Sequence, residues 1–350
     1  MRTELFDYDL PPDLIAQQPA ATREGSRLLV MDCESGEIAH RRFPDLADYL
    51  REGDCLVFNA SRVRRARLRG RKQEGGGGVE LLLLGPDADG TWRTLARPAR
   101  RLRPGTLISF GDDEIEAEVV EKGERGELRV RLRPGDLAAV EAAVERLGEM
   151  PLPPYIRERP HDPGRYQTVF ARETGSAAAP TAGLHFELST LSRLEEKGVR
   201  LAFLRLEVGL DTFRPVSEEE VEDHRIHSEE MCLEGETCEA INEARREGGR
   251  IIAVGTTVVR ALESAADGEE VRPFTGATDL FIIPGFSFSV VDCLLTNFHM
   301  PRSSLLMLVC AFAGREEVLR AYRQAVEERY RFLSFGDACY FDFPQGRRER

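Results

Sequence analysis

The sequence predicts a mixed-sheet α/β domain with a small antiparallel β-barrel domain inserted into it. Three observations support this: short strands broken by glycine turns across residues 54–132, strands alternating with helices from Val199 onward, and an N-terminal stretch that holds no complete core of its own. The expected organisation is discontinuous, with residues 1–60 and 150–350 forming the α/β domain and 61–149 the inserted barrel. A chain of 350 residues exceeds what one hydrophobic core usually organises, which favours two domains.

The short strands are expected at 55–59, 65–72, 79–84, 92–97, 106–110, 115–121 and 128–132. Turn signals at 75–78, 89–90, 104–105 and 123–126 separate them. Leu137, Val140, Ala143, Val144 and Leu147 then recur at helical spacing. Beyond Val199, strands are expected at 201–208, 251–254, 280–283 and 290–295, with helices at 236–247, 258–266 and 316–330, and another near 188–197.

Hydrophobic content of 41% and charged content of 31% describe an ordinary globular protein. No apolar run is long enough to cross a bilayer, and the first residues lack the apolar core of a signal peptide, so the expected compartment is the cytoplasm and no membrane partner is expected. The seven cysteines are scattered and contain no C-x-x-C pair, which argues against a disulfide frame or a cysteine zinc site. A formal net charge of −13 counts against nonspecific nucleic-acid binding, so an RNA partner would need a local basic patch. Arg65, Arg67, Arg69 and Arg71 supply one: they alternate with smaller residues, so strand geometry sends them to one face, with Arg62, Arg64 and Lys72 nearby. The competing reading is a solvated barrel face.

Four segments could carry chemistry. Small residues and a proline lead into His185-Phe186 across 175–186, which suits either close ligand approach or a tight structural loop. Asp223, His224, His227 and Glu229 cluster within seven residues, compatible with acid–base work or, less completely, with part of a metal site. Residues 250–263 read as a buried strand, a Gly255-Thr256-Thr257 turn and a helix whose open N–H groups suit an anion, with Arg260 one turn on. Asn297 and His299 fall at a strand end, where ligands of α/β sheets usually sit.

Together these segments resemble the S-adenosylmethionine:tRNA ribosyltransferase-isomerases of queuosine synthesis. The matching stretches are Leu56-Val-Phe-Asn59 with Arg62-Val63 and Ala66-Arg-Leu68, Met150-Pro-Leu-Pro-Pro-Tyr-Ile156, Tyr166-Gln-Thr-Val169, Ala179-Pro-Thr-Ala-Gly-Leu-His-Phe186, and Thr212-Phe213. Asp223-His224, His227-Ser-Glu229, Val254-Gly-Thr-Thr257, Val259-Arg260, Thr296-Asn-Phe-His299, Tyr330-Arg-Phe332 and Gly336-Asp-Ala338 follow in the same order.

The resemblance implies an α/β catalytic domain with an inserted barrel, and a reaction in which S-adenosylmethionine is a co-substrate donating its ribosyl group. The acceptor would be 7-aminomethyl-7-deazaguanine at the tRNA wobble position, and the products epoxyqueuosine-tRNA, adenine and methionine. No further cofactor, no metal and a monomeric state are expected. His185, His224, His227 and His299 become the acid–base candidates, with Asp223 orienting an imidazole. Pro180, Thr181, Ala182, Gly183, Phe213, Gly255, Thr256, Thr257, Arg260 and Asn297 become substrate-binding candidates, with the 255–260 segment holding the methionine carboxylate or a tRNA phosphate. Arg62, Arg65, Arg67, Arg69, Arg71 and Lys72 become tRNA-binding candidates.

The chain departs from the common pattern at Glu207, where many relatives have histidine, at Asp211, where they have glycine, and at Ala60, Ser61 and Arg65. Two other readings follow from these departures and from the histidine pair: a noncatalytic RNA-binding relative, and a metal-dependent hydrolase using His224 and His227.

Overall fold

The computed structural model describes residues 1–87, 89–124, 126–209 and 215–346. The chain divides into two compact units, Met1–Arg62 with Pro153–Arg350, and Val63–Leu152.

Among the described residues of the first unit, one nine-stranded sheet runs in the order Phe274–Thr278, Glu229–Leu233, Arg200–Leu206, Cys55–Asn59, Ile251–Val254, Cys293–Asn297, Ala338–Asp342, Arg27–Asp32 and Ile38–Arg42. The four strands from Arg200–Leu206 to Cys293–Asn297 are mutually parallel. Cys55–Asn59, Ile251–Val254 and Cys293–Asn297 are buried at every position, as expected of central strands covered on both faces. Their unbroken apolar runs therefore give no alternation to read. Flanking pairings are mostly antiparallel, including Cys293–Asn297 with Ala338–Asp342, so the sheet is mixed.

The seven expected short strands divide between the units, because Cys55–Asn59 enters the centre of the large sheet and the other six build the barrel. The expected strand at 280–283 is absent. Pairing with Glu229–Leu233 falls instead on Phe274–Thr278, and the Leu280 carbonyl accepts a hydrogen bond from Arg260 Nε at 3.0 Å. Helices Leu188–Glu196, Gly235–Arg246, Thr256–Ser264 and Arg315–Glu327 lie close to the expected spans. Helix Ser304–Ala313 starts from Ser303, whose Oγ accepts the Leu306 N–H at 3.2 Å.

At the amino ends of the parallel strands, Arg250 is buried and fully engaged. Its guanidinium donates to Asp54 Oδ2 at 2.6 Å, Asp342 Oδ1 at 2.8 Å and the Tyr49 carbonyl at 2.7 Å. Asp54 leads into Cys55–Asn59, Arg250 into Ile251–Val254, and Asp342 ends the neighbouring antiparallel strand, so one cation ties three strands together.

The second unit is a closed barrel in the order Glu127–Arg133, Trp92–Arg97, Gly78–Pro86, Arg67–Lys72, Leu107–Phe110 and Ile115–Lys122. Leu68, Leu81, Ile108, Phe110, Ala117 and Val130 face its interior. A Cβ at Gly70 would stand 2.3 Å from the Ser109 carbonyl, so closure at that point requires glycine. Helix Leu137–Leu147 follows the last barrel strand, and its N-cap Asp136 accepts the Ala139 N–H at 2.9 Å.

Candidate active site

The carboxyl ends of the parallel strands open into a cleft of about 580 Å³. Three of the segments that line it are Pro180, Thr181 and Ala182; Gly255, Thr256 and Thr257; and Thr296 through Met300. Position 255 joins strand to helix at φ 100°, in a region glycine enters without strain. The first N–H groups of helix Thr256–Ser264 have no intrahelical acceptor, and Gly255, its N-cap, provides no side-chain cap. This end of the helix favours negative charge.

The four imidazoles fall into two classes. His185 and His299 are buried, and burial pushes each pKa down to about 3; for His185 the charges of Arg331, Arg23 and Arg165 act in the same direction. Both rings are therefore neutral near pH 7. Asn297 Nδ2 donates to His185 Nε2 at 3.1 Å, which leaves the proton on Nδ1, directed to Ser26 Oγ at 2.8 Å. Phe43 stacks on the ring at 5.1 Å. His299 lines the cleft and bonds Thr296 Oγ1 through Nε2 at 3.0 Å. Asn297 is buried, and its Oδ1 has no hydrogen-bond partner among the described residues.

His224 and His227 are half-buried, each bonded to a carboxylate at 3.0 Å: His224 Nδ1 to Glu218 and His227 Nε2 to Glu229. Burial alone would raise the Glu229 carboxyl. The bond to His227, the Arg260 charge and the Gly209 N–H together hold it below its ordinary value, so it remains an anion. Glu218 is likewise held low, first by a bond with its own backbone and then by His224. The short helical turn Val221–Asp223 ends before His224, so the two rings do not share a helix face. Among the described residues no group of three or more His, Cys, Asp or Glu is placed to hold a metal ion.

The remaining candidates are more dispersed. Arg260 is buried, with its guanidinium on Glu229 Oε2 and on the carbonyls of Leu280 and Thr278. Arg260, His224 and His227 are not among the cleft-lining residues, and Arg260 meets His227 through their shared partner Glu229. Gly183 is packed beneath the lining segment, where a Cβ would meet Phe170 at 2.7 Å. Asp223 is exposed, and the carboxylate on the His224 ring is Glu218. Phe213 and Asp211 lie outside the described residues, and Glu207 pairs with Arg205 at 3.2 Å.

In the barrel, Arg65, Arg69 and Arg71 are exposed and Arg67 is half-buried, while Ala66 and Leu68 point inward. Arg69 meets Glu149 at 3.3 Å and Glu80 at 3.7 Å, and Arg67 meets Glu80 at 3.6 Å, so part of this face is neutralised. Lys72 is half-buried at the end of the same strand, and Arg62 closes the first part of the other unit.

Several residues of the cleft region escaped sequence reasoning. Tyr155 and Ser334 both line it and share a hydrogen bond of 2.7 Å. Tyr155 falls inside the conspicuous Met150–Ile156 motif, a signal that could have found it. Ser26 and Glu218 carry no such signal, since each is an isolated polar residue.

No helix among the described residues is long and apolar enough to cross a membrane. A family model described as "Queuosine biosynthesis protein" matches residues 3–341. The chain is 50% identical over 341 residues to the S-adenosylmethionine:tRNA ribosyltransferase-isomerase of Acetivibrio thermocellus, a match covering 97% of this chain and 99% of that protein. It is 38% identical to the crystal structure of S-adenosylmethionine tRNA ribosyltransferase from Thermotoga maritima, with a TM-score of 0.56 and coverage of 96% of this chain and 99% of that one. With the match spanning nearly the whole chain, this protein belongs to the queuosine biosynthesis protein family.

Proposed function

We propose that this chain is a cytoplasmic S-adenosylmethionine:tRNA ribosyltransferase-isomerase. It transfers the ribosyl group of S-adenosylmethionine to 7-aminomethyl-7-deazaguanine at the tRNA wobble position and isomerises it, giving epoxyqueuosine-tRNA, adenine and methionine. The observation that carries this reading is the strand-end cleft, where three motif segments distant in sequence meet beside an open helix start and a buried, unpartnered Asn297 oxygen.

The chemistry requires a base. The sulfonium acidifies the neighbouring C5′ hydrogens, so loss of one triggers departure of adenine; the aminomethyl nitrogen then attacks the opened sugar, and methionine leaves as the epoxide closes. Carboxylate-bonded, half-buried His227 and His224 suit proton transfer, because an adjacent carboxylate orients the ring. His185 and His299 suit orientation: their neutral rings hold Asn297 and Thr296 at the cleft. The Thr256 and Thr257 end of the helix suits the methionine carboxylate, with Pro180 to Ala182 forming the facing wall. Arg260 acts as a positioning residue for Glu229, and the arginine strand of the barrel contacts the tRNA backbone.

Mass spectrometry of the wobble nucleoside, after incubation with S-adenosylmethionine and precursor tRNA, tests the reading directly. Epoxyqueuosine together with free adenine is the expected result. Binding of tRNA without adenine release would establish a noncatalytic RNA-binding relative instead, and activity lost on chelation and restored by metal would establish a metal enzyme.

A further inference from the structure

Beside the cleft lies a second recess of about 280 Å³, lined by Thr22, Arg23, Arg165, His185 and Ser334 among others. Ser334 lines both cavities, and His185 reaches the cleft through Asn297, so the two are separated by a single layer of side chains.

The recess gathers two guanidiniums, Arg23 and Arg165, whose side-chain hydrogen bonds go to backbone carbonyls. Arg23 donates to the carbonyls of Leu184 at 3.2 Å and Gln167 at 2.8 Å, and Arg165 to the carbonyl of Ala21 at 3.2 Å. These acceptors are uncharged. Arg165 Nε is buried without a partner among the described residues. The nearby carboxylates are engaged by backbone N–H groups: Glu187 by Arg23 N at 3.3 Å, Asp162 by Gly164 N at 2.8 Å, and Asp337 by Arg27 N and Arg331 N, both at 2.8 Å. Burial, then the proximity of Arg165, lowers the Arg23 pKa against the opposing charges of Glu187 and Asp162, and burial lowers that of Arg331 against Asp337. Two guanidiniums that repel one another across a concave surface are relieved by an anion, and a planar donor fork matches a phosphate.

We propose that this recess is a phosphate site that takes a backbone phosphodiester of the RNA substrate, with Arg165 and Arg23 as its ligands. The inference rests on the proposed tRNA reading for the source of the phosphate. A nucleotide held there is registered against the cleft through the shared Ser334 wall. The barrel arginines, by contrast, sit on an exposed face and are partly paired with Glu80 and Glu149.

Inorganic phosphate is the probe, read by its effect on melting temperature, alongside the salt dependence of tRNA binding, for the full-length protein and for Arg165→Gln. Phosphate is expected to raise the wild-type melting temperature saturably and to do so only weakly for Arg165→Gln. The slope of log affinity for tRNA against log salt should shrink by about 0.7 to 0.9, the share of one phosphate that is no longer neutralised. Affinity for S-adenosylmethionine should be unchanged, and Arg165→Lys should retain most of the slope. If Arg165→Gln does not fold, Thr22→Glu, which places a carboxylate at the exposed rim, should abolish the phosphate response. Equal phosphate protection of wild type and variants overturns the site, and lost protection with an unchanged tRNA slope overturns its assignment to the RNA backbone. Failure of the wobble-nucleoside assay with phosphate protection intact would overturn the enzymatic reading alone.

Discussion

The two ends of the parallel strands use the same kinds of residue in opposite ways. At the amino ends, Arg250, Asp54 and Asp342 form a buried network in which the cation meets two carboxylates and a carbonyl. At the carboxyl ends, Asn297 keeps an oxygen without a partner among the described residues, and the helix start at Gly255 keeps open N–H groups. A saturated polar cluster stabilises; an unsaturated one, at the edge of a cleft, is available to a ligand. Burial alone therefore does not separate structural from functional polar residues; an unmet hydrogen bond counts when, as at Asn297, it lies in the wall of a cleft.

The contrast is tested most severely at the open end. His227→Ala or His224→Ala should slow the single-turnover rate by about 10²- to 10⁴-fold, the usual contribution of a positioned proton-transfer group, with the melting temperature nearly unchanged. Normal rates in both folded variants would move the proton transfer to another group.

The closed end should behave the other way round. Arg250→Met removes the buried cation that Asp54 and Asp342 share, a loss of about 3–5 kcal/mol in denaturant unfolding, while folded protein keeps its affinity for S-adenosylmethionine. A stable variant that fails to bind S-adenosylmethionine would erase the distinction between the two ends.

A further effect concerns acid. His185 and His299 titrate near 6.5 when unfolded but at about 3 in the fold. Between those values the unfolded state binds protons that the folded state does not. Stability is therefore fully present above about pH 6.5 and falls as pH drops toward 3, by up to about 1.4 kcal/mol per pH unit for each histidine. His185→Gln should reduce the slope of unfolding free energy against pH in this window by about one proton. An unchanged slope would mean that the ring is protonated in the folded protein.

The smallest effect is expected in the barrel. Replacing Arg65, Arg67, Arg69 and Arg71 together by glutamine should lower the salt slope of tRNA binding, by about 0.7 to 0.9 for each phosphate that an arginine had neutralised. Because Glu80 and Glu149 already neutralise part of this face, the change should fall short of the full effect of the four arginines. A quadruple variant with unaltered affinity and slope would make the face a merely solvated one.

Local pattern made much of the architecture readable. The barrel strands alternate inward and outward and are punctuated by glycine turns, and the six α-helices among the described residues each carry an apolar periodicity or a cap. Strands Arg27–Asp32 and Ala338–Asp342 escaped because strands buried on both faces show no alternation, and Glu229–Leu233, which does alternate, escaped because one of its buried positions is the charged Glu229. The 280–283 segment misled for a related reason: it is apolar, but its Leu280 carbonyl bonds a side chain and not a neighbouring strand.

The sequence by itself determined the mixed α/β class, the inserted barrel and the histidines worth testing, since each depends on residue type at short spacing. Only the tertiary structure decided that Glu218 and Glu229, not Asp223, answer the imidazoles, that Arg260 supports Glu229 from behind, and that Asn297 links His185 to the cleft. Hydrogen bonds act over about 3 Å in space. Ser26 and His185 are brought within that reach from positions 159 residues apart, a distance along the chain at which no local pattern survives.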